Sequence, residues 1–378
     1  MTYRVGIIGC GRKGTQHARA WNLNPKAEVV AAADTDAENL ELFRRRFDVP
    51  VYSDYREMMN NHGIDIAAPI LPVKTNADVV LGCTEFDIRG IFCEQPITDS
   101  LENADRMVTA CRAKSVKFGC GDLDRNLPDY WKAKAIIDSG QLGEVVGIDV
   151  HGGSSVGWDI QGLSLCRLFA GDVEAAWAIG WVTGDPHSDE DQGQAGYIRF
   201  VNGVEAFRHT RVNAKRGIEV HCTKGLFHTD YGYLRMWRFK DPDDLPGPGR
   251  HDAFVEITGL FKEDHQHLGC GMLDAEGWRW PGNRTVASVQ SLVDAIENNT
   301  EPTGSGENSR KCLEIAVALR ESHRRGRTLI QLPMEDRSLK IIPPMSRWLQ
   351  RKETMSLEDY RKSVGAWRPG DIDEEGLR

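Results

Sequence analysis

Over the first 120 residues the chain alternates between two spacings of its apolar residues. Nearly continuous apolar runs at Arg4–Ile8, Glu28–Ala33, Ile64–Leu71, Gly90–Cys93 and Val116–Cys120 predict short strands. Between them, Thr15–Leu23, Ala37–Phe47, Tyr55–Asn61, Thr75–Gly82 and Leu101–Ala113 carry the amphipathic spacing of helices. Strands alternating with helices of this length form right-handed βαβ units, so the pattern predicts an α/β domain built on a doubly wound parallel sheet. Farther along, a helix is expected over Pro128–Gly140, and strand-like runs then follow one another directly. These are Val145–His151, Ala176–Val182, Gly196–Phe200, Gly203–Thr210, Gly217–Cys222, Gly225–Thr229 and Leu234–Phe239. Turn signals such as Val201-Asn202-Gly203 and Thr223-Lys224-Gly225 join several of them as hairpins. Asp241–Gly249, with three prolines and two glycines, reads as a loop.

The turn after the first strand reads Gly9-Cys10-Gly11-Arg12-Lys13-Gly14 and opens a helix. In this G-x-G-x-x-G, Gly9 permits a tight turn, Gly11 leaves room for a pyrophosphate, and Gly14 lets the helix pack on the sheet. The helix N-terminus adds free N–H groups and a favourable dipole. Asp34 closes the second strand, 20 residues after Gly14. A carboxylate there accepts hydrogen bonds from a ribose and repels a 2′-phosphate, which favours NAD over NADP. Arg12 and Lys13 are candidate phosphate contacts, or equally solvated turn charges.

Composition bounds the rest. The 378 residues are 40% hydrophobic and 27% charged, enough for two domains, read here as 1–122 and 123–343 with a tail over 344–378. A net charge of −9 argues against a nucleic-acid partner. No apolar run of about 18 residues is present, so no membrane span is expected. No charged leader with an apolar core precedes the first strand, and nine scattered cysteines contain no Cys-x-x-Cys pair. Both features suit a cytoplasmic protein with reduced thiols. Asp264-His265-Gln266-His267 reads as a loop rather than a metal site, because no third ligand follows, and no bound metal is expected.

At Ile91-Phe92-Cys93-Glu94-Gln95-Pro96 the chain resembles the glucose–fructose oxidoreductase/inositol dehydrogenase (Gfo/Idh/MocA) family, whose mark after its Rossmann domain is Glu-Lys-Pro. Further matching pieces are His17, Pro72 through Asn76, Arg125, Gly143-Glu144-Val145, Leu292–Ile296, Pro302, Leu313-Glu314-Ile315 and Ser322 with Gly326. The resemblance runs from Tyr3 to about Pro343. It implies a second, α+β domain with an open, mostly antiparallel sheet, and a homodimer or homotetramer. It also implies that Pro72, Asn76, Glu94 and Gln95 line the cofactor, and that Arg125 contacts a carbohydrate-like small molecule.

Two positions depart from the family's pattern. Gln95 stands at the lysine of Glu-Lys-Pro, and glutamine orients a hydroxyl without taking its proton. The family's histidine position falls on Gln161, or on Leu163 if Asp159 rather than Gly157 is the preceding aspartate. Neither register supplies an imidazole. The candidate catalytic set is therefore Gln95, His151, Asp159 and Gln161, with Asp122, Arg125 and Trp158 as substrate contacts. Each has a plainer reading: His151 as a core or surface histidine, Trp158 as packing, and Asp124 as a support for Arg125. Three functions stay open. One is an NAD-dependent oxidoreductase acting on a sugar, cyclitol or related polyol. The second is a redox-neutral lyase, epimerase or glycosidase holding its NAD tightly, and the third is a non-catalytic sensor or scaffold.

Overall fold

The computed structural model describes residues 2–122, 124–126, 128–151, 160–182, 193–209, 217–230, 233–239, 254–256 and 284–342. These fall into two compact units. One comprises the residues up to Asn126 together with Arg284 to Arg310. The other comprises those from 128 to 256 together with Lys311 to 342.

The first unit holds six parallel strands: β1 (Tyr3–Ile8), β2 (Ala27–Ala33), β3 (Val51–Tyr52), β4 (Ile66–Pro69), β5 (Gly90–Cys93) and β6 (Lys117–Cys120). Their order is β3-β2-β1-β4-β5-β6, the doubly wound arrangement in which the strand order, though not the strand direction, reverses between β1 and β4. Helices α1 (Arg12–Leu23), α2 (Ala37–Phe47), α3 (Tyr55–Asn61), α4 (Val73–Cys83) and α5 (Leu101–Ala113) connect them. Strands covered on both faces lose alternation, and Ile66–Pro69 and Gly90–Cys93 are buried at every position. Helix starts follow local chemistry. Asp36 caps α2 by accepting from the Glu38 and Asn39 amides, and Ser100 caps α5 through Asn103.

Helix α6 (Pro128–Asp138) opens the second unit. Its sheet contains β7 (Val145–His151), β8 (Ala175–Val182), β9 (Gln194–Phe200), β10 (Glu205–Arg208), β11 (Gly217–Cys222), β12 (Gly225–Asp230), β13 (Tyr233–Phe239), β14 (Phe254–Glu256) and β15 (Ile330–Gln331). The order is β14-β13-β12-β11-β7-β10-β9-β8-β15, antiparallel throughout except where β10 runs parallel to β7. One face is packed: Ile148, Val150, Ile218, Val220, Phe227, Ile198 and Phe200 are buried. Helix α7 (Ile160–Phe169) contributes Phe169, whose ring lies 5.1 Å from that of Phe227. The last turns of α9 (Gly306–Arg324) meet β8 and β9, where Leu319 lies so close to Gly180 and Gly196 that a Cβ on either would clash.

Helix α8 (Arg284–Asn298) corrects the expected boundary. A division at 122/123 assigns it to the second domain, yet Val286, Val289, Leu292 and Val293 join the first core with Trp21 and Phe92. Leu292 packs on the bare backbones of Gly90 and Gly119, where an added Cβ would lie 3.4 and 3.3 Å from it. Four short elements differ from expectation as well. Strands β3, β14 and β15 span only two or three residues and give no period to read, and β10 is shorter than Gly203–Thr210.

Trp158, Asp159, Gly157, Asp241–Gly249, Asp264–His267 and the 344–378 tail lie outside the described residues. No helix among those described is long and apolar enough to cross a membrane. All eight described cysteines are free and buried.

Candidate functional site

The glycine turn divides its labour by space. Gly9 has φ +99°, and a Cβ there would sit 2.4 Å from the Ile70 carbonyl. A Cβ on Gly14 would fall 1.7 Å from the Gly9 carbonyl oxygen, so α1 can meet the turn only through a glycine. Gly11 differs: the nearest atom to an added Cβ is Asn39 Nδ2 at 4.0 Å, leaving open space above the turn. Gly11 is also the N-cap of α1 and makes no side-chain cap, so the first amides of the helix face that space.

Asp34 fastens this turn from the end of β2. Its Oδ2 accepts from the Cys10 amide at 2.7 Å and from Asn39 Nδ2 at 3.1 Å, while Oδ1 accepts from the Asp36 amide at 2.9 Å. The residues fit a dinucleotide: open space at Gly11, uncapped amides, and a carboxylate at the neighbouring strand end. When bound, the cofactor supplies the hydride acceptor. Arg12 is partly exposed and Lys13 exposed at the same helix start.

A second cluster lies at the end of β5. The Glu94 carboxylate takes a hydrogen bond from buried His17 at 2.8 Å and from the Gln95 amide at 3.0 Å, with Lys13 at 3.9 Å. Burial pushes its pKa up, but these partners outweigh that and hold it at about 2. Gly121 makes the fit possible, since a Cβ there would lie 2.5 Å from Glu94 Oε2.

Gln95 turns its amide nitrogen toward Ser309 Oγ at 3.0 Å and Cys120 Sγ at 3.7 Å. Cys120 and Ser309 are themselves 2.7 Å apart. Burial, with Asp122 nearby, pushes the Cys120 thiol up to about 12, so it stays protonated at neutral pH. The Gln95 Oε1 is buried with no hydrogen-bond partner, and so is Oδ1 of Asn76, whose nitrogen donates to the Pro96 carbonyl. Buried acceptors without donors are uncommon in proteins, and each calls for a donor from a water, an ion or a bound molecule. Pro72 is exposed at the N-cap of α4.

The remaining sequence candidates are placed as follows. Asp122 is fully buried, with Oδ2 accepting from Asn308 at 3.2 Å. Arg125 is buried and donates through Nε to the Thr303 carbonyl at 2.7 Å, while Asp124 pairs with Arg284 at 2.6 Å. His151 and Gln161 belong to the second unit. The His151 ring stacks on His228 at 6.0 Å between centroids and covers Gly217. Gln161 stands in the first turn of α7, partly exposed. Sequence reading missed Asn39, Cys120 and Ser309. Ser309 lies 214 positions from Gln95, and no local pattern joins two residues so far apart.

A doubly wound domain with this glycine turn and this Asp34 defines a dinucleotide-binding enzyme domain. Residues 3–121 match the Gfo/Idh/MocA model, described as an oxidoreductase family with an NAD-binding Rossmann fold. The match covers the parallel-sheet part of the chain. The chain is 25% identical over 255 residues to myo-inositol 2-dehydrogenase of Thermotoga maritima, spanning 60% of this chain and 75% of that one. With scyllo-inositol 2-dehydrogenase (NAD(+)) of Bacillus subtilis it shares 26% over 349 residues, 85% and 94% of the two chains. Levoglucosan dehydrogenase, solved with NADH and levoglucosan, has the same fold at a TM-score of 0.72 and 19% identity, over 88% of this chain and all of that one.

Proposed function

We propose that the protein oxidises a secondary hydroxyl of a cyclitol or sugar, with NAD as hydride acceptor. The observation that carries this reading is the buried Gln95 Oε1, which lacks a donor while its nitrogen is held by Ser309 and Cys120. Such an oxygen is set to accept the hydrogen of a substrate hydroxyl. Inositol dehydrogenases among the relatives support polyols as the substrate class. The glycine turn holds the pyrophosphate and Asp34 the adenosine ribose, giving the preference for NAD. Because Gln95 does not titrate, the hydroxyl proton leaves to another group. Of the two titratable candidates read from the sequence, His151 is stacked on His228, so the role is assigned to Asp159, with Gln161 and Trp158 as candidate polyol contacts.

The test is NADH formation with myo-inositol, scyllo-inositol and levoglucosan as substrates. Asp159→Asn is expected to lower kcat by roughly a hundredfold or more with NAD affinity unchanged, in the range for loss of a general base. Gln95→Ala is expected to raise KM for the polyol. A protein that binds NAD yet reduces it with no polyol or sugar would refute the proposal.

A further inference from the structure

The open face of the second sheet carries a row that its core face does not explain. Asp149 on β7 stands directly opposite Glu219 on β11, and Glu219 stands opposite His228 on β12. Two carboxylates paired across neighbouring strands repel each other, and such pairs destabilise a sheet unless a cation lies between them. His221, two positions along β11 from Glu219, returns to the same face and brings Nε2 to 2.9 Å from Asp149 Oδ2 and 3.8 Å from Glu219 Oε2.

We propose that Asp149, Glu219 and His221 form a binding site for one divalent transition-metal ion of the zinc class. Metal–nitrogen and metal–oxygen bonds of about 2.0–2.2 Å place tetrahedral ligand atoms about 3.3–3.6 Å from one another. One ligand atom from each of the three residues lies within 4.8 Å of the others, so small side-chain rotations close the set. One nitrogen with two carboxylate oxygens suits zinc, cobalt, nickel or manganese, whereas calcium and magnesium take oxygen shells. Two carboxylates with a neutral imidazole also balance a dication.

Surrounding groups orient the ligands. The Glu219 Oε1 is hydrogen-bonded to His228 Nδ1 at 2.9 Å, which leaves Oε2 for the metal. His209 Nε2 lies 3.7 Å from Asp149 Oδ1, on the oxygen that does not face His221. Partners of this kind fix the rotamers of metal-binding side chains, and their removal weakens affinity roughly 10–100-fold. Three protein ligands leave a fourth position for water. The site ties β7 to β11 across the middle of the sheet, so its expected role is to brace this face. It does not depend on the polyol reading.

The experiment uses the full chain, stripped with a chelator and titrated with zinc against a chromogenic competitor. One zinc per chain is expected, with micromolar or tighter affinity and a rise in Tm on binding. Asp149→Asn and His221→Ala are each expected to weaken zinc at least tenfold and remove the Tm rise, while His323→Ala, an exposed histidine on α9, changes neither. All three ligands are partly exposed, so these variants fold, and NAD binding by the first unit provides a check. No bound zinc in the wild type, or equal affinity in the Asp149→Asn/His221→Ala double variant, would overturn the proposal.

Discussion

Gly11 and Gly14 share a motif three residues long in spacing but answer to different forces. An alanine at 14 would drive its methyl into the Gly9 carbonyl, so Gly14→Ala is expected to lower Tm sharply, by overpacking worth at least ~2–3 kcal/mol. An alanine at 11 meets no protein atom and should leave Tm nearly unchanged, yet it occupies the space left for phosphate. Gly11→Ala is therefore expected to weaken NAD binding by about tenfold or more, ~1.4 kcal/mol, measured by titration calorimetry. Glu94 makes a pH-dependent contribution at the same scale. Its folded pKa of about 2 lies below the ordinary 4.5, so its stabilisation is complete above about pH 4.5 and is lost as pH falls toward 2. The stability gap between wild type and Glu94→Gln, on the order of 3 kcal/mol at neutral pH, should close across that window in denaturant titrations. These residues were readable from sequence because each sits in a short motif beside a predicted strand end. Ser309, Cys120 and Asn39 were not, because their roles arise only when distant strand and helix ends converge.

Long, periodic elements followed their sequence signals closely. Helices α2, α3 and α5 begin and end where apolar spacing, an Asp36, Asp54 or Ser100 cap, and a change of composition place them. Strands β5, β7 and β11 likewise span the predicted residues. The partner of α8 was harder to see. Its apolar face shows that it packs, but nothing in 15 residues says against which sheet. The answer lies in Gly90 and Gly119, whose missing side chains admit Leu292. Leu292→Ala should leave a cavity there and cost about 2–5 kcal/mol, seen as a lower denaturation midpoint for the first unit. The row Asp149–Glu219–His228 was hidden for a related reason: β-strand register, rather than spacing along the chain, brings these side chains together.

For the molecule as a whole, the outer face of the second sheet is the surface on which we expect self-association. Tyr197 is 49% exposed there, close to Phe207 at 4.4 Å, with Trp181 6.2 Å from Phe207. An aromatic strip of this kind on a sheet face suits a self-complementary contact with a second copy. Light scattering is expected to give a homodimer or homotetramer, and Tyr197→Glu to shift it toward monomer with NAD binding retained. A wild type that stays monomeric at high concentration would count against this surface.

The packing of α8 into the first core also sets a timetable for biosynthesis. A ribosome that has delivered residues up to Asn126 has made every strand of the parallel sheet, but not the helix that seals β5 and β6. Until some 160 further residues emerge, the nascent dinucleotide domain carries an open apolar slot where Val289 and Leu292 belong. Its stable form therefore waits on the far end of the message, and a fragment cut at residue 126 should be a client for chaperones rather than a free-standing cofactor binder.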